Sequence, residues 1–175
     1  MSRAITALFA LLVASLALST GQAHGLKAAE ITYQLVANWA QLPPGTKWGR
    51  MTAVDVDATG TIYVLQRSEP SKVMAFDPQG KLLRTWGEGL FPEAHGLRVD
   101  RDGNVWITER MLHQVMKFTP DGRLLLELGQ KGVAGDNTSV DKFNGPSDLV
   151  FAPNGDFFVS DGESTWIEGL QLLAL

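Results

Sequence analysis

The sequence predicts an all-β chain, an incomplete β-propeller holding about two and a half four-stranded blades. Three observations carry this reading. A segment of about 40 residues recurs, each copy contains four short runs that alternate apolar and other residues, and Gly, Pro and Asp turn signals separate the runs.

The copies are "MTAVDVDATGTIYVLQRSEPSKVMAFDPQGKLLRTWG" from Met51, "HGLRVDRDGNVWITERMLHQVMKFTPDGRLLLELG" from His95 and "PSDLVFAPNGDFFVSDG" from Pro146. Their turn glycines keep a period: Gly60 and Gly103 stand 43 apart, and Gly80 and Gly122 stand 42 apart. Gly155 follows Gly103 by 52, the excess lying in the polar loop "KGVAGDNTSVDKFNG" at 131–145. Blades are expected over 51–90, 91–130 and 143–162. Propellers usually close with 4–8 blades, so two complete units and the opening of a third leave the ring unfinished.

The flanking elements follow from the same frame. Residues 1–23 place one Arg ahead of an apolar run from Ile5 to Leu18, then Gly21 and Ala23 before a cleavage point, the pattern of a secretory signal peptide. The competing reading is an uncleaved membrane anchor, although the run is short of the roughly 20 residues that span a bilayer. Residues 24–50 form an N-terminal strand and linker, with a strand-like run from Ile31 to Trp39 before a proline break. In a complete ring such a run would close the last blade; here it is expected to be a poorly anchored strand. Residues 163–175, "ESTWIEGLQLLAL", keep neither the Lys or Gln start of "KVMAFD" and "QVMKFT" nor the following Pro-x-Gly turn, and are read as a divergent, truncated or frame-shifted tail. An open blade edge with unpaired backbone groups and an apolar face predicts self-association.

Composition narrows the partners. With 45% hydrophobic and 19% charged residues the chain is that of a globular protein, and a formal charge of −4 without a basic cluster argues against nucleic acid. Export would place it outside the cytoplasm, secreted or periplasmic, with no membrane attachment after signal removal. There is no Cys, so stapling must come from metal or packing. "NTS" at Asn137 matches a glycosylation acceptor, a short pattern that decides little.

The blade pattern resembles NHL-repeat propellers. More specifically, "WAQLPPG", "VLQRSE", "WGEGLFPEAHGL", "WITERMLHQVMKF", "FNGPSDLVF" and "FFVSDG", in this order, resemble the N-terminal part of the peptidyl-α-hydroxyglycine α-amidating lyase family. The resemblance covers Tyr33 to about Gly162. It implies a six-bladed ring that cleaves peptidyl-α-hydroxyglycine to peptide amide and glyoxylate, with zinc held by three histidines from different blades and a structural calcium. Breaking that C–N bond requires loss of the hydroxyl proton and protonation of the departing nitrogen, which a Lewis acid and a nearby cation assist.

Carried over residue by residue, His95 in "AHGL" matches the first zinc histidine, Val54 and Leu97 match positions whose carbonyls serve calcium, and Arg67 in "VLQRSE" matches the substrate arginine. The plainer readings are a turn-proximal histidine, two packing residues and a solvated strand-end arginine. Ser68 stands where the family has Gly, and Glu163 where the catalytic tyrosine follows the third-blade "DG". The other two zinc histidines and the calcium carboxylate belong to later blades.

Remaining candidates have structural readings. His113 fits a satisfied histidine at a strand start and His24 a tail residue. "DRDGN" at Asp100 lacks the twelfth-position Glu of a calcium loop and reads as a hairpin turn. Trp86 and Trp106 read as core aromatics, and Asp148 and Asp161 as carboxylates that bond nearby backbone. Two functions remain open: a fragment of an exported metal-dependent lyase acting on a peptide substrate, inactive as this chain, or an NHL-repeat scaffold that binds a protein partner.

Overall fold

The computed structural model describes residues 32–136, 138–162 and, as backbone, 171–174. The expected signal segment, His24, Asn137 and Glu163 lie outside the described residues. The chain divides into two units, 1–35 and 36–175. In the first, the described residues 32–35 are irregular and exposed.

Among the described residues, eleven strands make three antiparallel sheets. The first is β1 Met51–Val56, β2 Ile62–Gln66, β3 Lys72–Phe76 and β4 Leu82–Trp86; the second is β5 Ala94–Val99, β6 Val105–Glu109, β7 Gln114–Phe118 and β8 Leu124–Leu128. The third is β9 Asp148–Phe151, β10 Phe157–Asp161 and β11 Gln171–Ala174, with β10 in the middle. Each sheet is a meander, and among the described residues no sheet closes on itself, as an all-β incomplete propeller of two and a half blades requires.

One turn explains the recurring Asp-x-x-Gly and its relatives. Asp57 N donates to Thr61 O and Gly60 N to Asp57 O, both at 3.0 Å, and the same pair of bonds recurs at 77–81, 100–104, 119–123 and 152–156. The fourth residue of each is a glycine at positive φ, from +83° at Gly80 to +100° at Gly155, where a Cβ would crowd the following carbonyl. Asp100 Oδ1 accepts Asp102 N and Asn104 N at 3.0 and 2.9 Å, so "DRDGN" is a hairpin turn.

Packing follows the strand order. Tyr63, Leu65, Val73 and Ala75 of the first blade meet Leu97, Val105, Ile107, Met116 and Phe118 of the second, with Trp86 and Phe91 sealing the outer end. Trp106 and Val115 meet Leu149, Val159 and the loop residue Phe143 in the next layer. The two tryptophans are therefore core aromatics, Trp86 5.1 Å from Phe118 and Trp106 4.8 Å from Phe157 between ring centres. The outermost strand β8 is exposed at all but Leu128, whereas β4 is exposed only at Leu83 and Thr85 and buries Trp86.

Two flanking expectations change. The described part of the 31–39 run, 32–39, forms no strand; Trp39 instead leans on Phe76 at 5.6 Å and Gln41 bridges Lys81. The tail does supply a third strand to the last sheet, β11, in which Gln171 pairs with Asp161 just as Lys72 pairs with Gln66 and Gln114 with Glu109. The Gln start is thus present, displaced by a link longer than those of the first two blades, and a fixed period passes over it.

Candidate functional site

The inner strands β1, β5 and β9 stand side by side and line an open groove of about 510 Å³, with Thr52, Val54, His95, Arg98, Ser147 and Asp148 on its walls. His95 reaches it through a β-bulge. Ala94 pairs with Glu109 and Gly96 with Thr108, so His95 is the unpaired extra residue, and Thr52 holds the same place in β1 between Met51 and Ala53. A bulge re-aims its side chain out of the ladder, the reason a histidine can stand at this strand mouth without joining the core.

The bulge is held from several directions. The displaced Gly96 N donates to the buried Thr108 hydroxyl at 2.8 Å, and that hydroxyl donates to Ser147 O at 2.9 Å. A Cβ on Gly96 would lie 2.6 Å from Ser147 O, so only glycine admits β9 this closely. His95 Nδ1 lies 2.9 Å from the same carbonyl, which can only accept, so Nδ1 carries the proton of that bond. Such an outer carbonyl partner is what orients a metal-ligating imidazole. Arg98 pairs with Asp148 and donates Nε to Leu149 O at 3.2 Å, tying β5 to β9.

Arg67 follows β2 at the same end of the sheet but does not line the groove. Its guanidinium pairs with Glu93, two residues ahead of His95, and Glu93 also accepts Arg110 Nη2 at 2.6 Å and Nε at 3.2 Å. Arg67 and Arg110 are repeat equivalents gathered on one carboxylate. The hydrogen bond from Arg110 above all, outweighing partial burial and aided by Arg67, holds Glu93 below the usual carboxylate range. Arg67 Nε is buried with no hydrogen-bond partner among the described residues.

Val54 and Leu97 occupy one repeat position on neighbouring inner strands, opposite Val64 and Ile107. Val54 lines the groove, whereas the Leu97 side chain is sealed between blades. Asp148 is spent on Arg98 and on Leu149 N, and Asp161 accepts Asn144 N with both oxygens at 2.8 Å. Burial raises the Asp161 carboxyl above its ordinary value despite those bonds. His113 lies in the link between β6 and β7 at φ 55°, its Nδ1 buried without a hydrogen-bond partner among the described residues.

Ser147, Thr108, Arg98 and Glu93 were not singled out from the sequence. For Ser147 the signal is positional: Thr52, His95 and Ser147 all stand eight residues before a turn glycine, so aligning the repeats on Gly60, Gly103 and Gly155 brings it level with His95.

Among the described residues no group of three His, Cys, Asp or Glu side chains could hold a metal ion. One oriented histidine does not fit a resident zinc, which needs three or four protein ligands. No helix among the described residues is long and apolar enough to cross a membrane.

No family model matches the chain. Among curated proteins it is 34% identical over 143 residues to peptidyl-alpha-hydroxyglycine alpha-amidating lyase 1 of Drosophila melanogaster, covering 66% of this chain and 26% of the relative. It is 32% identical over 163 residues to lyase 2 of the same organism, covering 78% of this chain and 39% of the relative. It is 29% identical over 143 residues to human NHL repeat-containing protein 3, covering 77% and 41%. The chain thus spans from about a quarter to two fifths of these relatives. A solved structure of catalytically inactive virginiamycin B lyase from Staphylococcus aureus with quinupristin is similar in fold, with a TM-score of 0.50 and 16% identity, covering 71% of this chain and 40% of that one. The chain resembles, at family level, the NHL-repeat propeller lyases.

Proposed function

We propose that this chain is part of an exported lyase that cleaves peptidyl-α-hydroxyglycine to peptide amide and glyoxylate, and that it is inactive by itself. The bulged His95, proton on Nδ1 and ring held by the Ser147 carbonyl, carries the proposal. The outer carbonyl partner is what a ligand imidazole requires, while the bulge, which Thr52 shares in the first blade, turns the ring toward the groove.

In this reading His95 would be one of three zinc ligands and the others would come from further blades. Those ligands are lacking among the described residues. Val54 and Leu97, level with each other on adjacent inner strands, suit two carbonyl ligands of a calcium ion, which takes six to eight oxygens and would draw the rest from elsewhere. Arg67, paired with Glu93 away from the groove wall, would have to leave that carboxylate to meet the carboxylate of a substrate.

The test is a graft of this chain in place of the matching segment of one of the Drosophila lyases, supplied with zinc and a peptidyl-α-hydroxyglycine. Glyoxylate release is expected, and His95→Ala should lower it by at least about 100-fold, the upper end of what losing an outer-shell partner alone costs. A folded graft without release, or one indifferent to His95→Ala, overturns the reading. The second reading, an NHL-repeat protein-binding scaffold, is favoured by the comparable match to human NHL repeat-containing protein 3. It predicts a folded graft that binds no zinc.

A further inference from the structure

The two flanks of the blade row are complementary, and the geometry points to two copies of this chain closing a six-bladed ring, each lending its segment 39–42 to the third blade of the other. This inference is independent of the lyase reading.

Both internal junctions follow one rule. Three residues after the first turn glycine of a blade stands an aromatic knob: Tyr63, Trp106 and Phe158. It packs on the next blade at the positions four before and two after the turn glycine there. Tyr63 clusters with Val99 and Val105, and Trp106 lies 5.6 Å from Phe151 and 4.8 Å from Phe157. Phe158 has no following blade among the described residues. The receiving positions in the first blade are Val56 and Ile62, and Val56 is 53% exposed.

The inner strands repeat the message. Val54, Leu97 and Leu149 share one repeat position, yet Val54 is 57% exposed while the other two are 0% and 3% exposed beneath a preceding blade. On the opposite flank Val150 is 60% exposed, at the place where Asp55 accepts Val99 N and Arg98 donates to Leu149 O across the internal junctions. The free flanks therefore offer valine to valine where the internal junctions use polar crossings.

The outer layer completes the match. Trp86 of β4 underlies Gly122 in the next blade, where an added Cβ would meet the indole at 2.7 Å. Trp39 takes that role towards the first blade: a Cβ on Gly80 would fall 1.8 Å from Trp39 O, Trp39 Nε1 donates to Pro78 O at 3.1 Å, and Gln41 N to Gly80 O at 2.7 Å. Segment 39–42 thus stands where the outer strand of a preceding blade would stand, and the third sheet has its inner three strands but no outer one among the described residues. Two copies supply six sheets, inside the 4–8 range of closed propellers; three would exceed it. Two-fold closure also terminates assembly, as open head-to-tail stacking would not.

Light scattering on the purified full chain should give a mass near twice 19.0 kDa. Val56→Lys and Phe158→Asp each place a charge in both junctions of the dimer and should weaken it at least about 100-fold. Mixing the two variants should restore a dimer, since one junction is then native and the other pairs the introduced charges. Should either variant fail to fold, Val56→Cys combined with Phe158→Cys in this cysteine-free chain supplies the second arm, cross-linking into a covalent dimer under mild oxidation. A monomer, an open polymer, a dimer indifferent to both charges, or absence of the cross-link overturns the inference.

Discussion

Between the first and second blades Arg84 crosses from β4 to the carbonyl of Pro120 at 2.8 Å, braced within its own blade on the Tyr63 hydroxyl at 3.0 Å, while Trp86 closes the layer beneath Gly122. Between the second and third blades the equivalents are Leu126, which is exposed, and Leu128, half-buried. That junction relies instead on Trp106 against two phenylalanines, on Lys117 above Trp106 and on the Arg98–Asp148 pair, leaving a cleft of about 370 Å³. The same repeat position is core in one junction and surface in the other, because a residue of an outer strand is covered only when the next blade carries its own outer hairpin. Burial here belongs to the neighbour as much as to the residue.

The largest expected contrast is at the outer tryptophan. Trp86→Ala should cost about 3–5 kcal/mol in urea denaturation, and Leu128→Ala less than about 1 kcal/mol; equal losses would break the distinction between the junctions. Next come two glycines with the same turn geometry. Gly122→Ala meets the Trp86 ring and should cost about 2–4 kcal/mol, combining overpacking with positive φ. Gly103→Ala has open space and should cost only the backbone part, about 1–2 kcal/mol, so the difference between the two isolates the junction.

A smaller effect follows from pH. The folded-state Glu93 carboxyl is held below its unfolded value, so its contribution to stability is complete above the ordinary glutamate range and is lost as pH falls through the depressed folded value. Glu93→Gln should flatten that part of the acid limb of a denaturation series; an unchanged limb would show that Arg67 and Arg110 do not rely on it. Asp161 acts in the opposite sense, since its raised carboxyl favours the folded state as pH falls through its folded value. The smallest effect is expected for Leu126→Ala, within about 0.5 kcal/mol.

The blade architecture was legible because a turn with one glycine at positive φ imposes its period on the chain: Gly60, Gly103 and Gly155 mark the first hairpins without reference to any contact. His95 was legible as a candidate because "AHGL" resembles the motif that carries the first zinc histidine of the lyase family. Its bulge was not, since a bulge is a mismatch between two strands and β5 shows it only when laid against β6. β11 escaped for a similar reason: its pairing with β10 follows a link of irregular length, and apolar residues in "LQLLAL" fit a strand or a helix until a partner selects one.

Local chemistry, then, determined which residues turn, which alternate and where each hairpin begins, because those preferences are set within a few bonds. Tertiary structure decided that Arg67 is spent on Glu93 rather than aimed into the groove, that Val54 is exposed while Leu97 is sealed, and that His95 leans on the Ser147 carbonyl 52 positions away. Coverage and hydrogen-bond partnership depend on which blade stands next in space, and no run of residues read alone carries that information.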